Sequence, residues 1–68
     1  MSNIAQQIFA ISEKDKNAII TIKTAKGLEF TGKIILLDHR SIGIEQENDQ
    51  RELLFIRQIL EVTEVVNG

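Results

Sequence analysis

The side chains best suited to chemistry lie in one short polar run, Asp38-His39-Arg40-Ser41. An acid, a base and a hydroxyl this close together suggest a hydrolytic triad. Neighbouring residues of a single turn, however, do not place a base against a nucleophile and an orienting acid against that base. We therefore interpret the run as a turn between two strands.

A second candidate is a phosphate-binding pattern, Gly27-x4-Gly32-Lys33. A P-loop needs Ser or Thr after the lysine to hold magnesium, and Ile34 stands at that position. The pattern also lies in a stretch that alternates between apolar and polar residues, whereas a P-loop connects a strand to a helix. We reject this pattern, and we expect the chain not to be an enzyme.

Composition restricts the remaining classes of protein. The chain has no cysteine and a single histidine, so disulfides are excluded, a metal site is not expected, and no cofactor is predicted. The net charge of −2 argues against non-specific binding to a polyanion but allows a local basic site. No apolar run is long enough for a membrane span, and no signal peptide is visible, so a cytoplasmic protein without a membrane partner is expected.

The elements that must position these side chains begin with a predicted helix from Asn3 to Lys14, capped by Ser2-Asn3. Apolar residues recur there at helical spacing: Ile4, Ala5, Ile8, Phe9 and Ile11. A helix this short does not persist alone, so it is expected to dock on the doubly apolar stretch Ile34–Leu37.

Period-2 alternation predicts five strands, at Ala18–Thr24, Leu28–Leu37, Ser41–Glu47, Arg51–Phe55 and Ile59–Val65. Gly27 is expected to take a positive φ in the first hairpin turn, and Gly32 to mark a sharp bend or bulge inside the long second strand. The chain is therefore predicted to be one mainly β domain over residues 1–68. An N-terminal α-helix would precede a five-stranded, strongly bent antiparallel sheet that forms a small open barrel.

A sheet this small tends to stay open, which leaves two edges of unpaired backbone. With 68 residues and no disulfide, oligomerisation is the remaining way to stabilise the domain. Pairing of one edge with the other edge of a second copy is expected to close a ring. The predicted interface residues are Leu53, Leu54, Phe55, Leu60 and Val62, with Val65 and Val66 nearby.

Two ordered motifs carry a resemblance to a known family. The first is Gly27-x4-Gly32-x-Ile34-x-x-Leu37-Asp38-x-x-x-Ile42, and the second is Phe55-Ile56-Arg57-Gln58-Ile59-x-x-Val62. With the N-terminal helix, they resemble the Sm-like family, most closely its bacterial Hfq branch of RNA chaperones. The resemblance covers nearly the whole chain, with Gly27, Gly32 and Asp38 as structural motif residues.

The resemblance implies a homohexameric ring that binds single-stranded, uridine-rich RNA on its helix-bearing face. Such a ring would pair small regulatory RNA with mRNA. The implied RNA-binding residues are Gln6, His39, Arg40 and Arg57, while Asp38 would order the turn. The chain departs from the family at several positions. Arg40 replaces the usual stacking aromatic, Ile56 replaces a lysine and Arg57 replaces a histidine. Lys23 replaces the aromatic of the adenine-binding face, and the arginine-rich rim is reduced to Lys14 and Lys16.

Other interpretations of these residues stay open. Arg40 could pair with Asp38 or Glu45, Arg57 could cap a carbonyl or bridge to a neighbouring subunit, and Gln6 could be a solvated helix residue. The acidic balance and Ile56 also allow a second function, a Sm-fold structural or protein-interaction ring with weak or lost RNA binding.

Overall fold

The computed structural model describes residues 3–65, so the proposed cap Ser2 and the edge residue Val66 lie outside the described residues. One helix is followed by five strands, and a short 3₁₀ turn, Ile56–Gln58, separates the last two. The bounds are α1 Ile4–Lys14, β1 Ile19–Thr24, β2 Glu29–Leu37, β3 Ser41–Glu45, β4 Arg51–Phe55 and β5 Ile59–Val65. The predicted mainly β architecture with an N-terminal helix is confirmed.

The five strands form one antiparallel sheet in the order β4-β3-β2-β1-β5. Ile20 lies opposite Gly32 in the β1–β2 ladder, and Ile22 lies opposite Val62 in the β1–β5 ladder. Strands β4 and β5 are therefore the two edges, and they contain the apolar residues predicted for the edges. Within residues 3–65, β4 and β5 do not pair with each other.

Two hydrogen bonds of the 3₁₀ turn connect the segments that precede and follow β2. The Ile56 N–H donates to the Arg40 carbonyl oxygen at 2.8 Å, beyond the end of β2. The Gln58 carbonyl oxygen accepts from the Ala25 N–H at 2.9 Å, before the start of β2. A straight strand of nine residues would be about 30 Å long. Since Ile56 and Gln58 are only two residues apart, Ala25 and Arg40, on either side of β2, are held closer together than that length.

Gly32 lies in β2 at a position where no side chain fits. A Cβ at Gly32 would overlap the carbonyl oxygen of Glu45 and lie 2.8 Å from its carbonyl carbon. The register irregularity, however, falls later, between Ile34 and Leu36, where Ile35 is the additional residue. The sequence predicts a bend or a bulge at Gly32; the bulge lies three residues further on, and the bend stays a prediction.

The bulge explains the doubly apolar stretch Ile34–Leu37 and corrects one prediction. Ile34 and Leu37 pack against the core, whereas Ile35 and Leu36 stay exposed on the other face. The expectation that α1 covers this stretch was wrong, since the helix makes its most extensive contact with β5. The extra residue, Ile35, reverses the alternation. The two exposed residues are therefore adjacent in the sequence and lie between the two that pack against the core.

Helix α1 is positioned by its cap and by one apolar stripe. The Asn3 side-chain oxygen accepts from the Gln6 N–H at 3.2 Å. Ile8 is fully buried against four further fully buried isoleucines of the sheet, and Leu54 and Ile59 complete the cluster. The four are Ile20, Ile22, Ile42 and Ile44. This contact fixes the start of α1 beside the β2–β3 turn. No helix within residues 3–65 has the length and apolar character needed to cross a membrane.

Candidate nucleic-acid interface

Three segments that are distant in the sequence meet at a cleft of about 620 Å³. They are the start of α1, the β2–β3 turn and the end of β4 with the 3₁₀ turn. The lining residues are Asn3, Ala5, His39, Arg40, Phe55, Ile56 and Arg57. Three of the four predicted RNA-binding residues, His39, Arg40 and Arg57, are therefore brought together. The fourth, Gln6, is exposed on α1 next to the lining residue Ala5 but does not line the cleft.

The β2–β3 turn is held by the carboxylate of Asp38. Its Oδ1 atom accepts the N–H groups of Arg40 at 2.7 Å and Ser41 at 2.8 Å, and the Asp38 N–H donates to the Ser41 carbonyl oxygen. The two backbone N–H groups hold the pKa of Asp38 below its ordinary value because they favour the charged form. Asp38 thus fixes the turn that presents His39 and Arg40.

The second wall of the cleft is tied to the first through the backbone. The Ile56 N–H donates to the carbonyl oxygen of Arg40, so the 3₁₀ turn is held directly against the β2–β3 turn. The guanidinium carbon of Arg57, in the 3₁₀ turn, lies 5.9 Å from the ring centroid of Phe55, the last residue of β4. Cation and ring are therefore within the range of a cation–π interaction.

The electrostatics of the cleft differ from those of the whole chain. Two guanidinium groups and one imidazole line it, and none of its lining residues is acidic. The positive end of the α1 dipole also faces this region, and the first turn of α1 contains no acidic residue. An arrangement of guanidinium groups at a helix N-terminus is suited to phosphate, despite the net charge of −2.

The arginines of the cleft have no carboxylate partner within residues 3–65. The ion pairs within residues 3–65 are Lys23–Glu29 at 4.0 Å and Arg51–Glu45 at 3.2 Å. Glu45, one of the acids that could have paired with Arg40, is thus engaged by Arg51. The other, Asp38, accepts from the backbone of Arg40. Both guanidinium groups of the cleft remain available to a ligand.

The predicted interface residues divide into two groups according to the alternation of their strands. Leu53 is 61% exposed and Leu60 is 67% exposed, and the Phe55 ring is also exposed. In contrast, the Leu54 side chain lies in the core, and Val62 packs against it. Leu54 therefore offers only its backbone to another chain. Sequence reasoning placed Phe55 in the interface and missed that it lines the cleft, although its position beside Arg57 in the second motif was a signal.

The adenine-binding face that the resemblance implies carries no aromatic side chain at the expected position, Lys23. Lys23 stands there, between its register partners Glu29 and Glu61. Two residues from Lys23 along β1, the hydroxyl group of Thr21 is hydrogen-bonded to the hydroxyl group of Thr31 at 2.9 Å. Two carboxylates and hydroxyl groups offer a nucleic-acid base no stacking surface, so the basic cleft is the stronger candidate.

A comparison of the chain with protein-family models and one with curated proteins found no match. Within residues 3–65, no group of three or more His, Cys, Asp or Glu side chains could hold a metal ion. The residues that line the cleft offer cations for phosphate, and rings and guanidinium planes for stacking.

Proposed function

We propose that the chain is an Hfq-like RNA-binding protein of the Sm-like type, acting in the cytoplasm as a homo-oligomeric ring. It binds single-stranded, uridine-rich RNA and promotes pairing between small regulatory RNA and mRNA. The observation that supports this most is the convergence of His39, Arg40 and Arg57 on one cleft. These residues lie on two separate turns, and the resemblance to the family selects all three from the sequence alone.

The chemistry of the cleft supports this proposal in two ways. Arg40 and Arg57 have no carboxylate partner within residues 3–65, so binding a phosphate does not require them to break an ion pair. Guanidinium planes also stack on unpaired bases, which are exposed only in single-stranded RNA. Single-stranded RNA presents phosphates and bases together, so it engages both properties of the cleft.

The two bare edges of the sheet support the ring. Edge strands β4 and β5 expose Leu53 and Leu60, and a five-stranded sheet leaves the outer backbone groups of both strands without a ladder. Pairing β4 of one copy with β5 of the next satisfies both edges and repeats around a closed ring, hexameric as in Hfq. Each copy then contributes one cleft, and a single RNA strand can occupy several.

The test is the binding of fluorescein-labelled oligouridine, measured by anisotropy over a series of salt concentrations. We expect binding that weakens as salt rises. Arg40→Ala and Arg57→Ala should each weaken it by about tenfold at low salt and lower the salt slope by about 0.7, the effect of one lost phosphate contact on a single strand. Lys26→Ala is the matched control, because Lys26 is exposed and lies outside the cleft. Its substitution removes one positive charge, as each arginine substitution does.

Two results would contradict the proposal: an intact assembly that does not bind oligouridine at low salt, or a Lys26→Ala variant as weak as the arginine variants. The first would favour the second candidate function, a ring that serves as a structural or protein-interaction module. Its support is the exposed apolar surface away from the edges, at Leu28, Ile35 and Leu36. Purified protein that carries protein partners and shows no nucleic-acid absorbance would then be expected.

A further inference from the structure

Phe55 has an environment unlike that of the other two phenylalanines. It is the last residue of β4, opposite Ser41 in the β3–β4 ladder, and its ring is 49% exposed. It is also the one phenylalanine among the residues that line the cleft, where the other ring is the imidazole of His39. Phe30 packs against the core, and Phe9 lies on α1 outside the cleft. Phe55 therefore combines an exposed ring, a place in the cleft and a neighbouring cation, Arg57.

The neighbouring arginine places a guanidinium group over this ring. The guanidinium carbon of Arg57 lies 5.9 Å from the ring centroid, and Arg57 itself is exposed. Arg40 lies on the facing wall of the same cleft. A nucleic-acid base favours such a surface because every base has a π-face, and both aromatic rings and guanidinium planes stack on it.

We propose that Phe55, together with Arg57, is the base-stacking platform of this cleft. The stacking ring then comes from the end of β4, and the β2–β3 turn contributes Arg40 as a cation in place of an aromatic residue. This inference rests on the proposed function, since it assumes that RNA occupies the cleft. It assigns Phe55 a ligand-binding role in addition to the one its edge-strand backbone has in the ring.

The ring and the backbone of Phe55 serve different contacts. The backbone of β4 can extend the sheet to another copy along its outer edge, whereas the side chain lines the cleft beside the 3₁₀ turn. The competing possibility is that the ring is covered by a neighbouring copy. A test therefore has to separate stacking on a base from burial in an interface.

The chain contains no tryptophan and no tyrosine, so Phe55→Trp introduces a single indole reporter. We expect oligouridine to quench its fluorescence, and an abasic oligonucleotide of the same length not to. Phe9→Trp is the matched control, because Phe9 is 42% exposed and lies outside the cleft. Its fluorescence should not respond to oligouridine. Phe55→Leu keeps an apolar side chain but removes the π-face, and it should weaken binding by roughly fivefold or more at unchanged mass in solution.

The outcomes separate this inference from the proposed function. Oligouridine that binds the Phe55→Leu variant as tightly as the wild type and does not quench Phe55→Trp overturns the platform and leaves the RNA-binding function standing. A Phe55→Leu variant whose assembly mass falls together with its affinity overturns it as well, because the ring would then be an interface residue. If the wild type does not bind oligouridine at all, the proposed function fails first.

Discussion

Asp38 shows how one carboxylate can set the geometry of a site that it does not line. Its Oδ1 atom accepts the N–H groups of Arg40 and Ser41, and both bonds favour the ionised form. The pKa of Asp38 is therefore held below its ordinary value of 3.8. A group with a lowered pKa in the folded state stabilises the fold above its unfolded pKa, and this contribution is lost as the pH falls through the folded pKa.

We therefore expect the Asp38 carboxyl to titrate below pH 3.8, as followed by the ¹³C chemical shift of that carbon in an NMR titration. The Asp38→Asn variant is the control for the effect on stability. It should be less stable than the wild type at neutral pH, and the difference should shrink as the pH falls below about 3.8 because both side chains are then neutral. A midpoint at or above 3.8 would contradict the interpretation of the turn.

The residue scale also shows what the sequence could not supply. His39, Arg40 and Arg57 were selected from two motifs, and their meeting depends on the hydrogen bond between Ile56 and Arg40. Phe55 was assigned to the interface because it ends an apolar strand. Its place in the cleft depends on where the 3₁₀ turn directs the chain, and the one signal for it in the sequence was its position near Arg57 in the second motif.

Two glycines with different roles allow a test of how closely β3 approaches β2. Gly27 has a φ of +84°, and a Cβ added there would meet no other atom within 4 Å. Gly32 instead has the Glu45 carbonyl group in the place of a side chain. Gly27→Ala should cost about 1 kcal/mol in free energy of unfolding, the strain of a left-handed residue. Gly32→Ala should cost more, about 2–3 kcal/mol, because the backbone of β3 must move.

Urea unfolding at a fixed protein concentration measures both variants, with Gly27→Asn as a control. Asparagine tolerates a positive φ, so this variant should lose less stability than Gly27→Ala. Equal losses for Gly32→Ala and Gly27→Ala would show that β3 does not approach β2 as closely as the structure indicates.

At the scale of the elements, alternation in the sequence predicted the strands well. The start of β1 differs by one residue, at Ile19 instead of Ala18, and β3 ends at Glu45 instead of Glu47. The bulge at Ile35 was not predictable, because a run of four apolar residues is equally compatible with a strand covered on both faces. For that reason the docking of α1 was placed on Ile34–Leu37 when its main contact is β5.

At the scale of the whole molecule, the proposed ring predicts which exposed leucines matter. Leu53 on β4 and Leu60 on β5 lie on the two edges, whereas Leu28, 54% exposed, precedes β2 and lies on neither. Leu53→Lys and Leu60→Lys should each lower the mass in solution, measured by light scattering, because each places a charge in an apolar contact. Leu28→Lys should leave the mass unchanged.

Mixing the two edge variants gives the sharper result. A Leu53→Lys chain keeps an intact β5 edge and a Leu60→Lys chain keeps an intact β4 edge, so one good interface can form between them. The mixture should therefore contain a heterodimer that cannot grow further. A mixture that stays monomeric, although both variants retain the far-ultraviolet circular dichroism of the wild type, would contradict pairing between β4 and β5.

The strand order also predicts the order in which the strands pair during folding. Strands β1 to β4 pair with their neighbours along the chain, so each of these hairpins closes a short loop. Only the β1–β5 ladder joins distant segments, and most of the loop-closure entropy falls on that step. We expect the meander to form early and β5 to join late. Because β5 is also one of the two edges, a newly made chain can offer both edges to the proposed ring only after its own folding has finished.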